Sequence, residues 1–570
     1  MAADASVEDA ARLIVDGFTD YNASFSDITR RARRRFRQRD RAGMQRDAVA
    51  RIELYDRMVA ETISRLEQCL DERLFSRMVW RRIRSRYGEL IKPLLDAELN
   101  KTFFNTLSRR LFKTRGVDPA IEFVALDIEP TDRITHPVSR HTYASAVDPV
   151  RACRRLIDDF DFGVPYAEPD RDARLLAARL QADLLAAGDS GPVSVELLET
   201  VFYREGRAFL VGRLYGRERF LPCVIALICE PSGVRVDAVI TARQQVSVLF
   251  GFTHSYFFAD LPTVGDAVVF LRTLLPDKPI DELYTVLGRA KQGKTERYRH
   301  FFRHLSARPD EQLVEAEGEK GLVMVVFTLP SYPLVFKVIR DHFAPSKQFG
   351  PAVVKQKYWL VFRHDRVGRL VDAQEFKDLK FPLSQLAPAL LAELEEECAR
   401  SIAIEGESLV ISHCYVERRL RPLNLHLSEV EPALARDAAL DYGQAVKDLS
   451  LSNIFPGDLL PKNFGVTRSN RVIFYDYDEL KLIGECRFRA LPDALTDIEE
   501  FHDEPWFHIG ENDVFPEQFS QFMGLPPELL QAVREHHPEL FDVSWWKDLK
   551  TDLADGRQID ILPYPASMRL

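Results

Sequence analysis

The sequence predicts an α+β chain in two parts: a mainly helical N-terminal domain with a β insertion, then a C-terminal domain that begins in strands and ends in helices. Three observations carry this. Apolar residues recur at spacings of three and four from residue 1 to about 115 (Leu13, Ile14, Phe18; Ile52, Tyr55, Val59), with Gly and Pro rare, which is the period of a helix buried on one face. Four apolar runs, VSVELLETVFY, RAFLVGRLYG, FLPCVIALICE and VRVDAVIT, are separated by turn residues and mark a β insertion at about 193–250. After helical patterns over 257–308, strands return in QLVEAEGEKGLVMVVFTLPSYPLVFKVI. The domains are therefore expected at 1–308 and 309–570, the second divided into lobes at about 309–416 and 417–570.

Composition bounds the function. The 570 residues allow two to four domains. A hydrophobic share of 46% and a charged share of 29% describe an ordinary globular chain. A net charge of -10 gives no sign of a nucleic-acid binder. The seven cysteines are scattered and form no C-x-x-C, which suits a reducing cytoplasm rather than a disulfide framework or a zinc site. MAADASVEDAARLIVDGF lacks the pattern of a signal peptide, and apolar runs such as CVIALIC are too short to span a bilayer.

Two segments of the first domain invite a functional reading. RRARRRFRQRDR (30–41) is strongly basic; the simpler expectation is a solvated helix face paired with acidic neighbours. Gly288-Arg-Ala-Lys-Gln-Gly293-Lys294-Thr295 fits G-x-x-x-x-G-K-[ST] literally. A phosphate-binding loop needs a buried strand before it, whereas DELYTVL carries charge and reads as helix, so a basic turn between helices is expected. Loops are expected at Glu129-Pro130 and His136-Pro137, and a helix over 168–190.

The chemistry concentrates in the second domain. Gly318-Glu-Lys-Gly321 forms a turn between strands, and Lys337 lies inside a later strand between Phe336 and Val338. Phosphoryl transfer uses backbone N–H groups close to phosphates, which favours glycine, and one cation held on a rigid strand. An outward-facing lysine on an edge strand is the bland alternative. The strand in SLVISHCYVERRL (408–420) is placed like the link between two lobes, with Glu417 as a candidate hinge residue. In IFPGDLLPKNFGVTRSNRVIFYDYD (454–478), Asp458 is followed five residues on by Asn463, then by a hairpin pattern turning at Ser469-Asn470, then by Asp476. Asp, four residues, Asn, hairpin, Asp is the spacing of a protein-kinase catalytic loop and its metal-binding aspartate. Asp458 would take or orient the proton of an attacking hydroxyl, and Asn463 and Asp476 would offer oxygen ligands to Mg²⁺. The expected C-terminal fold is thus bilobal and protein-kinase-like.

GEKGLVMVVFTLPSYPLVFKVI, HDRVGRLVDAQEF, YVERRLRPLNLHL, NIFPGDLLPKNFGVT and VIFYDYDE, together with LYTVLGRAKQGKT and ENDVFPEQF outside that core, resemble the isocitrate dehydrogenase kinase/phosphatase family of bacteria. The resemblance runs along most of the chain. It implies a bifunctional cytoplasmic enzyme that uses ATP and Mg²⁺ (Mn²⁺ as an alternative) to phosphorylate a serine of isocitrate dehydrogenase. The same site then removes that phosphate with ADP present, which controls flux between the tricarboxylic acid cycle and the glyoxylate bypass. It also implies an N-terminal regulatory domain and AMP as allosteric effector. It places nucleotide binding on Ala316, Glu317, Gly318, Glu319, Lys320, Gly321, Leu322 and Lys337, and an active-site aspartate on Asp372. The protein substrate is the expected partner, with neither nucleic acid nor membrane; a homodimer is left open.

Departures from ordinary kinases are informative. Pro456-Gly457, not His-Arg, precedes Asp458. Asp476-Tyr477-Asp478 adds a second carboxylate, a plausible tool for the reverse reaction. No glutamate lies between Val338 and Gln374, so Asp372 or Glu375 is left to partner Lys337, with a helix-capping role for Asp372 as the alternative. The acidic, aromatic stretch 496–519, with Trp506, Phe507 and Phe515-Pro516-Glu517, reads equally as a substrate dock or a pinned surface loop. Spacing alone leaves room for a small-molecule kinase or a nucleotide-binding pseudokinase scaffold.

Overall fold

The computed structural model describes residues 2–124, 138–251, 256–344, 349–364, 366–491, 508–557 and 559–570. It divides into two compact units, Met1–Pro309 with Leu562–Leu570, and Asp310–Ile561.

In the first unit, the helices Ala2–Arg37 and Arg41–Leu70 bury the apolar stripes seen in the sequence. The chain reverses between them at Asp40, whose carboxylate accepts from Gly43 N at 2.7 Å and caps the second helix. The basic segment is a paired helix face. Arg30 meets Asp260 at 2.8 Å, Arg35 meets Asp47 at 2.9 Å, and Arg31 and Arg33 reach Asp47 and Asp161, each at 3.3 Å. The literal P-loop match is a turn between two helices: Ile280–Val286 precedes it, Gly288 turns at φ +82°, and Lys294 lies within Ala290–Ser306.

The β insertion is an antiparallel sheet of six strands rather than the four expected. VSVELLETVFY divides into Ser194–Leu198 and Phe202–Arg204, both pairing with Arg207–Tyr215. Arg140–Ala144 adds an edge strand, in which only Tyr143 is buried, so no alternation marked it in the sequence.

The chain's last residues return to this sheet. Tyr564 Oη donates to Asp237 Oδ2 at 2.6 Å, Arg569 Nε to Asp237 Oδ1 at 2.9 Å, and Arg569 bridges to Ala238. Leu562–Leu570 cluster with Met1–Pro309, where the fully buried Asp237 takes donors from Tyr564 and Arg569. Tyr564→Phe is expected to lower stability by about 1–3 kcal/mol, as an earlier thermal transition, since a buried carboxylate loses a donor.

The second unit opens on a five-stranded antiparallel sheet in the order Gln374–Phe376, Cys414–Arg418, Leu334–Ile339, Met324–Thr328, Val314–Glu315. All six residues of Leu334–Ile339 are buried, so Lys337 is on an inner strand and the edge-strand alternative fails. Between the first two strands of that order, the chain inserts a small sheet (Leu379–Pro382, Ser408–Ile411, Ile402–Glu405) and the helix Pro388–Glu397. The lobe boundary expected at 416/417 falls inside the strand Cys414–Arg418. Beyond it, helix Pro432–Leu451 packs against the hairpin of Phe464–Val466 and Val472–Phe474, which turns through Asn470 at φ +55°.

Candidate active site

A cavity of about 640 Å³ lies between the five-stranded sheet and the hairpin. Ala316 to Leu322, Lys337, Glu417, Asp458, Asn463, Asp476 and Asp478 all line it. Asp372 does not.

The roof is the glycine turn. Gly318 has φ +128°, a region that L side chains rarely adopt, and a Cβ on Gly321 would lie 2.9 Å from Met324 O. The turn is braced from behind: Arg340 Nε donates to Gly321 O at 3.0 Å, and its Nη2 meets Glu393 at 2.6 Å, which Lys320 also reaches at 2.8 Å.

Lys337 Nζ pairs with Glu417 Oε2 at 2.7 Å and donates to Tyr475 O at 2.9 Å. Burial pushes the Glu417 carboxyl above its ordinary range, against the opposing pull of Lys337. This corrects two expectations. Glu417 is not a linker residue but lies within the strand, opposite Val335, and it supplies the lysine's partner in place of Asp372 or Glu375. The register explains it: Tyr415 is opposite Lys337, so Glu417, two residues on, points to the same face. Asp372 instead accepts from Gln374 Nε2 at 2.9 Å, at the start of a strand rather than a helix, and Glu375 pairs with His413 at 3.1 Å.

Helix Pro351–His364 carries no acid at all. What it brings is Tyr358, stacked on Tyr415 with centroids 3.9 Å apart, its Oη 3.5 Å from Glu417 Oε1. Sequence reasoning passed over Tyr358, Tyr475 and Lys462; only Lys462, a cation beside Asn463, had a visible signal.

The floor is built for one geometry. Gly457 has φ +85°, and a Cβ there would lie 2.3 Å from Glu479 O. Asp458 Oδ1 accepts from Leu460 N at 2.8 Å, which holds the carboxylate in a turn. Tyr475 N donates to Asn463 O at 3.1 Å, tying the loop to the hairpin end. Tyr477 is fully buried, its Oη donating to Val371 O at 2.8 Å, and the carboxylates on either side of it, Asp476 and Asp478, both line the cavity. Gly457→Ala is expected to lower turnover by about 10²-fold, read in initial rates, because relieving the clash displaces Asp458.

The donor set fits a hard cation. Asn463, Asp476 and Asp478 offer only oxygen and, among the described residues, no three His, Cys, Asp or Glu side chains form a cage. Mg²⁺ characteristically takes one or two carboxylates and completes its shell with phosphate and water.

Of the stretch 496–519, Trp506 and Phe507 lie outside the described residues. The described end is pinned: Asp513–Val514 pairs with Arg487–Phe488, and Glu517 accepts from Leu491 N at 2.9 Å.

Comparison with known proteins agrees along the chain. Residues 311–566 match the family model described as isocitrate dehydrogenase kinase/phosphatase (AceK) kinase domain, and residues 11–309 that of its regulatory domain. The chain is 57% identical over 562 residues to an isocitrate dehydrogenase kinase/phosphatase of Xanthomonas campestris pv. campestris (strain 8004), covering 98% of this chain and 97% of the relative. It is 44% identical over 561 residues to one from Anaeromyxobacter sp. (strain Fw109-5), with the same coverage. A solved structure, the ROP18 kinase domain in complex with AMP-PNP and sucrose, aligns at 13% identity and a TM-score of 0.20, over 44% of this chain and 82% of that one.

Proposed function

The chain belongs to the isocitrate dehydrogenase kinase/phosphatase family, and on that premise we propose that it moves one phosphoryl group in both directions, from ATP to a serine of isocitrate dehydrogenase and off that serine again, at the cavity under the glycine turn. The observation that carries this is the convergence of Lys337, Asp458, Asn463 and Asp476 on one cavity.

The glycine turn brings backbone N–H groups to the phosphates, and Lys337, oriented by Glu417, holds them. Asp458 receives the proton of the serine hydroxyl as the oxygen attacks. Asn463 and Asp476 would hold Mg²⁺ or Mn²⁺, which would neutralise charge on the transferring group. Asp478 orients water for the return reaction. Asp372 lies outside the cavity, and its charge adds to the burial that pushes the Glu417 carboxyl up. AMP as effector of the N-terminal unit rests on the family resemblance. A cytoplasmic location is supported by seven free cysteines. Among the described residues no helix is long and apolar enough to cross a membrane.

Incubation with isocitrate dehydrogenase, labelled ATP and Mg²⁺ should incorporate phosphate, and later addition of ADP and AMP should release it. Lack of incorporation would favour the pseudokinase scaffold. Asp478→Ala is expected to lower phosphate release at least about ten-fold more than incorporation; equal losses would overturn its assignment to the return reaction.

A further inference from the structure

The roof of the cavity carries the wrong sign of charge for its cargo. Glu317 and Glu319 flank Gly318, at the turn that would cover a polyphosphate. Each is met by a cation from across the cleft. Arg421, in the segment that links the lobes, pairs with Glu317. Lys462 Nζ is 2.8 Å from Glu319 Oε2.

Lys462 is the more consequential of the two. It follows Asp458 by four residues, directly precedes Asn463, and lines the same cavity as Lys337 and Asp476. It is thus the cation at the catalytic end of the cleft, where the last phosphate of ATP must lie for Asp458 to face the acceptor. Its partner is a weak one. Glu319 is 61% exposed and Lys462 38%, so water screens the pair, and a phosphate with more charge can displace the carboxylate.

We propose that Glu319 is a nucleotide-selecting residue: it occupies Lys462, so that ATP has to displace a carboxylate to seat its terminal phosphate, whereas ADP, one phosphate shorter, does not. This rests on reading the cavity as the nucleotide site. Its consequence is a site biased toward ADP, the nucleotide of the return reaction.

The test is nucleotide binding by the full chain with Mg²⁺, using ADP and the non-hydrolysable β,γ-imido analogue of ATP. Glu319→Gln keeps the size of the side chain and removes its charge. It should tighten the ATP analogue about two- to five-fold and leave ADP within about 1.5-fold, so that the ratio of the two dissociation constants moves. In a Lys462→Met background the same substitution should change neither. Equal tightening of both nucleotides, or a gain that persists without Lys462, would overturn the proposal. Failure of the unsubstituted chain to bind either nucleotide would instead overturn the reading of the cavity, and this proposal with it.

Discussion

Asp458→Asn is expected to lower phosphate incorporation into isocitrate dehydrogenase by about 10²–10⁴-fold in kcat, the span associated with a positioned proton acceptor. The substitution isolates the chemistry. Asp458 Oδ1 accepts from Leu460 N at 2.8 Å, and an asparagine oxygen accepts the same bond, so the turn that begins at Gly457 keeps its shape. What is lost is a site that can hold a proton. Binding should be nearly untouched, with KM for ATP within about two-fold, because the contacts proposed for the nucleotide are the glycine turn and Lys337. Steady-state rates with varied ATP read both numbers. A kcat within a few-fold of the unsubstituted protein would remove Asp458 from the reaction.

Arg369→Met is expected to destabilise the second unit by about 3–5 kcal/mol, the usual consequence of taking one partner from a buried ion network. The Arg369 guanidinium is buried and its donors are used: Nε to Asp448 at 2.8 Å, Nη1 and Nη2 to Asp441 at 2.7 and 2.8 Å, and Nη1 to Val472 O at 3.0 Å. Burial alone would lower its pKa, but Asp441 and Asp448 more than offset that and raise it. Methionine fills similar space but leaves both carboxylates, and the hairpin strand, without their shared donor. A shift in the urea midpoint without a change in slope reports the loss. The pH dependence has a definite sign. Burial acts to raise the Asp441 carboxyl, yet Arg369 prevails and holds it below the ordinary range. Its stabilising contribution is therefore present above about pH 4 and fades as pH falls through the depressed value, while the arginine's side fades only at extreme alkalinity. The unsubstituted chain should lose stability in acid more steeply than Arg369→Met.

The candidate site was legible where its residues lie close in sequence. Asp458, Asn463 and Asp476 are joined by one loop and one hairpin, so their spacing is itself a geometric statement; the glycine turn is local too. Helices with a clear three-and-four period were legible for the same reason. Short or half-buried strands were not: Arg140–Ala144 buries one side chain and carries no period to read.

By itself the sequence determined a two-part chain, the loop of candidate phosphate-handling residues, and a family resemblance specific enough to state a substrate. Tertiary structure alone decided who partners Lys337. A carboxylate eighty residues downstream reaches it because two antiparallel strands set Tyr415 opposite Lys337, and the pleat then turns Glu417 to the lysine's face. The same holds for Asp237, whose donors Tyr564 and Arg569 come from the far end of the chain. Such pairs are fixed by register and burial, where an unpaired charge is too costly to leave, and neither quantity exists until the chain has folded.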